Sequence, residues 1–239
     1  GLRLGLGVCI VGVLLGELKL ASAGLGFLAR DYYDQYDFAS LYAVVAIVFA
    51  LASLANGTPA EAVIGQSSLI GQTNSGTGAS RLNGPVGLSI DGNGDLWVAD
   101  SENNRVLRFP DAATVGDGAA VADLVLGQDN IADVTNDFGT AADRMREPTG
   151  VFVDSAGNVW VADRRNNRVL KFNAGTLASG VDANVVIGWP DFLTESSGVS
   201  ANLFSRPSAV FVDGGDRLWV ADEINSRVLR FNGASTIAN

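Results

Sequence analysis

Beyond residue 84 the apolar positions come in bursts of four to six, rich in Val, Leu, Phe and Trp, and separated by Asp-Gly, Gly-Asn and Asn-Asn pairs. Bursts this short, punctuated by turn formers, predict β-strands and not helices. The same order of bursts is written three times, as GPVGLSIDGNGDLWVADSENNRVLRFP, EPTGVFVDSAGNVWVADRRNNRVLKFN and RPSAVFVDGGDRLWVADEINSRVLRFN. The units start at Pro85, Pro148 and Pro207, so the spacing is 63 and then 59 residues. In the second unit the pattern predicts strands over 150–154, 158–163 and 168–173, with a fourth over 184–188, reading NVVIG. The counterparts of that fourth strand are DLVLG at 123–127 and EAVIG at 61–65.

A unit repeated at such a period cannot bury its apolar face alone and must stack on its neighbours. Four short antiparallel strands per unit is the make-up of a propeller blade. The motifs P-x-G-V-x-V-D, then L-W-V-A-D, then N-x-R-V-L-R-F resemble the NHL repeat over roughly residues 60–239. The trailing V-L-G-Q at 125–128 is similar to long NHL arrays in exported or surface proteins of bacteria. The fold expected is therefore all-β, a partial NHL-type β-propeller of about three four-stranded blades over 58–239. The third copy finishes its third strand near Asn232 and stops where a fourth is due, so an open arc of a larger protein is expected.

Residues 1–57 have another character. Residues 4–16 form an uncharged run of 13, and residues 38–55, FASLYAVVAIVFALASLA, form one of 18, about the minimum for a membrane-spanning helix. A signal-peptide core is disfavoured because the residues leading into it are acidic, Asp31, Asp34 and Asp37. The order of features from LGLGVCIVGVLLGELKLASAGLGFLARDYYDQYDF into this run resembles the C-terminal end of a nitrate, sulfonate and taurine-type ABC transporter permease. Glu17, Gly24, Leu25 and Gly26 sit at the matching places, and Gly12 with Gly16 gives the small-xxx-small spacing of close helix packing. The resemblance implies a helical membrane segment over 1–57 and ABC transporter subunits as partners. It also places the propeller in the cytoplasm, whereas Arg30 before the run and no Lys or Arg after it until Arg81 place it outside. The chain starts without methionine and is expected to be a fragment at its front.

Charge narrows the function. With 16 Lys+Arg against 26 Asp+Glu, of which residues 1–57 hold three and four, the repeats carry 13 against 22, or −9. Such a surface repels a phosphate backbone, and no nucleic-acid partner is expected. The chain has no histidine, the usual zinc ligand and general base. NHL-like lyases use histidines, so the resemblance does not carry their chemistry here, and no cofactor or metal is expected. The single cysteine, Cys9, lies in an apolar run and reads as a small hydrophobe.

Candidate site residues follow from recurrence. Asp100 with Arg105, Asp163 with Arg168, and Asp222 with Arg227 recur in every unit, which fits a structural brace better than one asymmetric active site. Trp97, Trp160 and Trp219 recur as packing residues, and Asp91, Asp154 and Asp213 end each first strand, where a calcium-binding channel mouth is the weaker reading. Trp189 does not recur, standing where Gln66 and Gln128 stand in the other units, and is the one aromatic candidate for a ligand contact. The inter-unit segments 66–84, 128–147 and 189–206 are polar, differ most between copies and should emerge on one face. The function expected is a membrane-attached, non-enzymatic binding module for a protein or carbohydrate ligand. The alternatives are a permease component carrying a fused propeller, and an artefactual joining of two reading frames.

Overall fold

The computed structural model describes residues 60–70, 76–114, 118–132 and 139–238. The permease-like segment and the uncharged run at 38–55 lie outside the described residues. Among the described residues no helix is long and apolar enough to cross a membrane.

Residues from Glu61 onward form one compact unit built from three antiparallel meanders. The first sheet orders β1 (Pro85–Ile90), β2 (Leu96–Asp100), β3 (Arg105–Phe109) and β4 (Leu124–Leu126) as neighbours. The second repeats this with β5 (Pro148–Val153), β6 (Val159–Asp163), β7 (Arg168–Phe172) and β8 (Val185–Ile187). The third has β9 (Pro207–Val212), β10 (Arg217–Asp222) and β11 (Arg227–Asn232), with β11 at its edge. The described residues are thus all-β, with blade-like sheets of four, four and three strands. No strand forms at 61–65: among the described residues EAVIG has no third strand beside it to pair with, as β4 has β3 and β8 has β7.

Alternation sorts each strand between two faces. In the first sheet Trp97, Ala99 and Val106 point toward the second sheet, where they pack on Val151, Val153, Val159 and Val161. Trp160, Ala162 and Val169 repeat this against Val210, Leu218 and Val220 of the third. The first and second units each therefore have a forward face that buries their Trp on the back face of the following unit. At the junctions the inner strands come very close. A Cβ on Gly87 would collide with the Thr149 carbonyl of β5, and one on Gly150 would lie 2.8 Å from Ala209 Cα of β9.

The first turn of each unit is tied by its aspartate. Asp91 Oδ1 accepts the amides of Asn93 and Asp95, at 2.9 and 3.1 Å, while Oδ2 accepts the Trp97 indole N–H at 3.0 Å. Asp154 and Asp213 repeat the pattern, with Trp160 at 2.9 Å and Trp219 at 2.8 Å. These oxygens close an Asx-type turn and anchor the core Trp. Burial acts to raise the Asp91 carboxyl, but the Trp97 N–H, the two amides and the Arg108 charge outweigh it and hold it below the usual aspartate range. The Trp219 N–H foremost, with Gly215 and Arg217, holds Asp213 low as well. Carboxyls lowered on folding stabilise the fold above the ordinary aspartate range and lose that contribution as pH falls through their lowered values. The unfolding midpoint should therefore drop on acidification below about pH 4, and Asp91→Asn with Asp213→Asn should flatten that slope; thermal melts across an acid series check it. Asp154→Ala should cost about 1–3 kcal/mol at neutral pH by stranding the indole N–H of buried Trp160, read by chemical denaturation.

Candidate functional site

At the opposite end of the sheets the chain turns from the second to the third strand of each unit, and here the recurring Asp and Arg meet. Arg105 Nε donates to Asp100 Oδ2 at 2.7 Å, Arg168 to Asp163 at 2.7 Å, and Arg227 to Asp222 at 2.8 Å. Both partners of the first two pairs are fully buried, whereas the Arg227 side chain is 25% exposed. The other carboxylate oxygen accepts a backbone N–H from the segment ahead of the unit: Asn83, Arg146 and Ser205, at 2.6, 2.7 and 2.7 Å. Asn103, Asn166 and Asn225 each donate to the same aspartate and to a carbonyl of that segment, those of Gly76, Gly139 and Gly198.

The guanidinium groups gather what remains of these segments. Arg105 donates to the carbonyls of Gly78, Arg81 and Ile131; Arg168 to Thr140, Ala141, Arg144 and Phe192; Arg227 to Val199, Ser200 and Leu203. A planar fork of five N–H donors suits such a cluster of carbonyls. Burial pushes the Asp163 carboxyl up, with the Arg168 charge, the Arg146 amide and the Arg168 and Asn166 side chains opposing it. These segments share a glycine and, three residues on, an alanine (Gly76 and Ala79, Gly139 and Ala142, Gly198 and Ala201), differ in most other positions, and are pinned at the same end of all three units. Among the described residues no three His, Cys, Asp or Glu side chains come together as a metal site would require.

Trp189 is buried at 6% exposure, packs with the second unit's core, lies 4.5 Å over the Arg168 guanidinium, and donates to the Ser196 carbonyl at 3.0 Å. The apolar side chains that its segment turns to solvent are Leu193 and Val199, and the first segment exposes Leu69 and Ile70. Sequence reasoning passed these over because single aliphatic residues in polar loops carry no periodic signal. Their signal lies in being apolar inside Ser-, Asn- and Gly-rich runs.

These sheets, stacked face to face around closely approaching inner strands, define a β-propeller-like module. The family model of the NHL repeat matches residues 82–109 and 145–172, so the chain carries NHL repeats in that fold. Over 100 residues it is 30% identical to human NHL repeat-containing protein 3, covering 40% of this chain and 24% of that protein. Over 109 residues it is 34% identical to the probable peptidyl-alpha-hydroxyglycine alpha-amidating lyase of Caenorhabditis elegans, covering 44% of this chain and 27% of that protein. The chain thus spans about a quarter of the length of these curated relatives. Among solved structures, a luciferin-regenerating enzyme is 17% identical with a TM-score of 0.40, covering 62% of this chain and 40% of that one. The gluconolactonase XC5397 of Xanthomonas campestris is 15% identical with a TM-score of 0.39, covering 60% and 36%. The expectation that the chain is not an enzyme is corrected by the amidating-lyase relative. That expectation rested on the missing histidines, and the likeness to an enzyme holds over 109 residues of a chain that has none.

Proposed function

We propose that the repeat region is a ligand-binding propeller module whose recognising surface is the end formed by residues 66–70, 76–84, 128–132, 139–147 and 189–206. The observation that carries this is the combination of a backbone pinned by Arg105, Arg168 and Arg227 with apolar side chains turned outward at Ile70, Leu193 and Val199. A rigid loop that presents isolated aliphatic groups loses little entropy on binding, which suits recognition of a protein or carbohydrate surface. The module's net charge of −9 disfavours nucleic acid. The uncharged run at 38–55 supports attachment of the module to a membrane, which an alkaline wash of a membrane fraction tests.

The full chain is screened against peptide and glycan arrays. Leu193→Ser with Val199→Ser should abolish the hits while leaving the melting temperature within about 2 °C, because exposed substitutions scarcely change stability. Hits indifferent to both substitutions would remove the loop end from the reading.

The amidating-lyase relative favours a second reading, in which the ligand of this end is a substrate. Incubation of the chain with a peptide ending in alpha-hydroxyglycine, reading formation of the amidated peptide, separates turnover from binding alone.

A further inference from the structure

The residue that leads into the first strand of each unit sits where a side chain is costly. Gly84, Glu147 and Arg206 precede Pro85, Pro148 and Pro207 and have φ of +60°, +46° and +53°. That left-handed conformation suits glycine, and the proline that follows narrows the backbone further. The first unit has the favoured residue there, whereas the second and third have a glutamate and an arginine. The fold asks only for the backbone at this point. The amides of Glu147 and Arg206 donate to Asn104 Oδ1 and Asn167 Oδ1 of the preceding unit, at 2.9 and 2.8 Å, and a glycine would keep that bond.

Glu147 is compensated for its strain and Arg206 is not. Glu147 pairs with Arg165 at 2.7 Å and with Arg164 at 4.0 Å. Arg164 in turn donates to both oxygens of Glu223, each at 3.0 Å, across the junction of the second and third units. The Arg164 hydrogen bonds, against burial and with the charges of Arg164 and Arg206, hold the Glu223 carboxyl below the usual glutamate range. Arg206 thus stands near a carboxylate that another guanidinium already occupies. It is exposed, and among the described residues its guanidinium has no hydrogen-bond or ion-pair partner. Arg164, Arg165 and Arg206 against Glu147 and Glu223, three against two, leave this cluster at +1 in a repeat region of −9. The openness of Arg206 does not come from its unit being the third. Glu147 holds the same place in a unit that another follows, and its ion pairs are with its own unit's Arg164 and Arg165.

From this geometry, and resting on the loop end as the recognising surface, we propose that Arg206 receives a carboxylate of a peptide ligand through two N–H donors of its guanidinium. A guanidinium fork without an internal acceptor matches a carboxylate bidentately. Backbone strain that no internal contact repays marks functional positions. The exposed aliphatic groups of Leu69, Ile70, Leu193 and Val199 at the same end suit the side chains of a peptide, whereas Trp189, the tryptophan that could stack on a sugar ring, is buried. The acidic remainder of the module does not prevent this, because salt at physiological strength screens exposed charges beyond about 8 Å.

The test prints the peptide array in matched pairs, each peptide with a free or an amidated C-terminus and with Asp or Glu against Asn or Gln, and probes it with the full chain. Peptides that lose binding on Leu193→Ser with Val199→Ser should bind the unsubstituted chain about tenfold more tightly in the form that carries the carboxylate. The pair that discriminates tells a C-terminal carboxylate from a side-chain one. Arg206→Gln should abolish the discrimination. Arg206→Gly should abolish it as well and raise the melting temperature by about 2–4 °C, since it relieves the left-handed strain, whereas loss of a structural contact would lower it. Three results overturn the proposal and leave the loop end as the recognising surface: discrimination that survives Arg206→Gln, equal binding of both forms by peptides that need Leu193 and Val199, or a lowered melting temperature in Arg206→Gly. An array on which no peptide binds overturns it too. Hits indifferent to Arg206, Leu193 and Val199 alike overturn both the proposal and the loop-end reading.

Discussion

Replacing Arg168 with methionine lowers the stability of the repeat region by about 3–5 kcal/mol, the expected cost of removing one partner of a buried ion pair. Arg168 is fully buried, pairs with fully buried Asp163 at 2.7 Å, and donates to four carbonyls of the segments on either side of the second unit. Methionine matches much of the volume but leaves a carboxylate and four carbonyls short of a donor in a site sealed from water. The penalty depends on pH. Burial already pushes Asp163 up, and without the guanidinium its carboxyl rises further above its unfolded value. A carboxyl raised on folding binds its proton more tightly in the native state, so the variant is least impaired in acid and loses stability as pH rises above the ordinary aspartate range. The partly exposed Arg227 supplies the internal control, since Arg227→Met leaves Asp222 closer to water and costs less. Urea denaturation followed by tryptophan fluorescence at several pH values reads all three effects.

Gly150→Ala is expected to cost about 1–3 kcal/mol although it adds a single methyl group. Its Cβ would lie 2.8 Å from Ala209 Cα, 3.1 Å from Val210 N and 3.2 Å from Ala162 Cβ, so backbone on one side and core on the other leave it nowhere to go. Relief requires β9 to move away from β5, opening the junction that buries Trp160, Val210 and Leu218. Hydrogen exchange should accordingly quicken in β5 and β9 and leave β2 and β3 unchanged. Gly92→Ala, whose Cβ would meet nothing within 4 Å, should stay within about 0.5 kcal/mol.

The three units and their strands were legible because each strand is a local pattern. Residues 158–163 read as a strand from N-V-W-V-A-D alone, and β6 occupies Val159–Asp163. The recurrence of Asp163 and Arg168 five residues apart was equally visible. Invisible were the partners that make the pair matter, since the carbonyls of Thr140 and Phe192 lie 28 and 24 residues away, in loops that belong to no strand pattern. The strand expected at 61–65 was misjudged for a related reason. Its pattern is that of a fourth strand, but a strand needs a neighbour, and no described third strand lies beside it as β3 lies beside β4. Trp189 stood out as unique, yet uniqueness does not tell whether an indole faces solvent or, as here, a buried guanidinium.

By itself the sequence determined that this protein is a stack of repeated four-stranded units with turn chemistry at fixed offsets, because strand periodicity, Asx turns and glycine positions are local. Only the tertiary structure decided which face of each unit is buried and how the loops between units are fixed at one end. Those are properties of contacts between residues far apart in the chain, and they depend on the stacking of whole sheets, which no short stretch of sequence encodes.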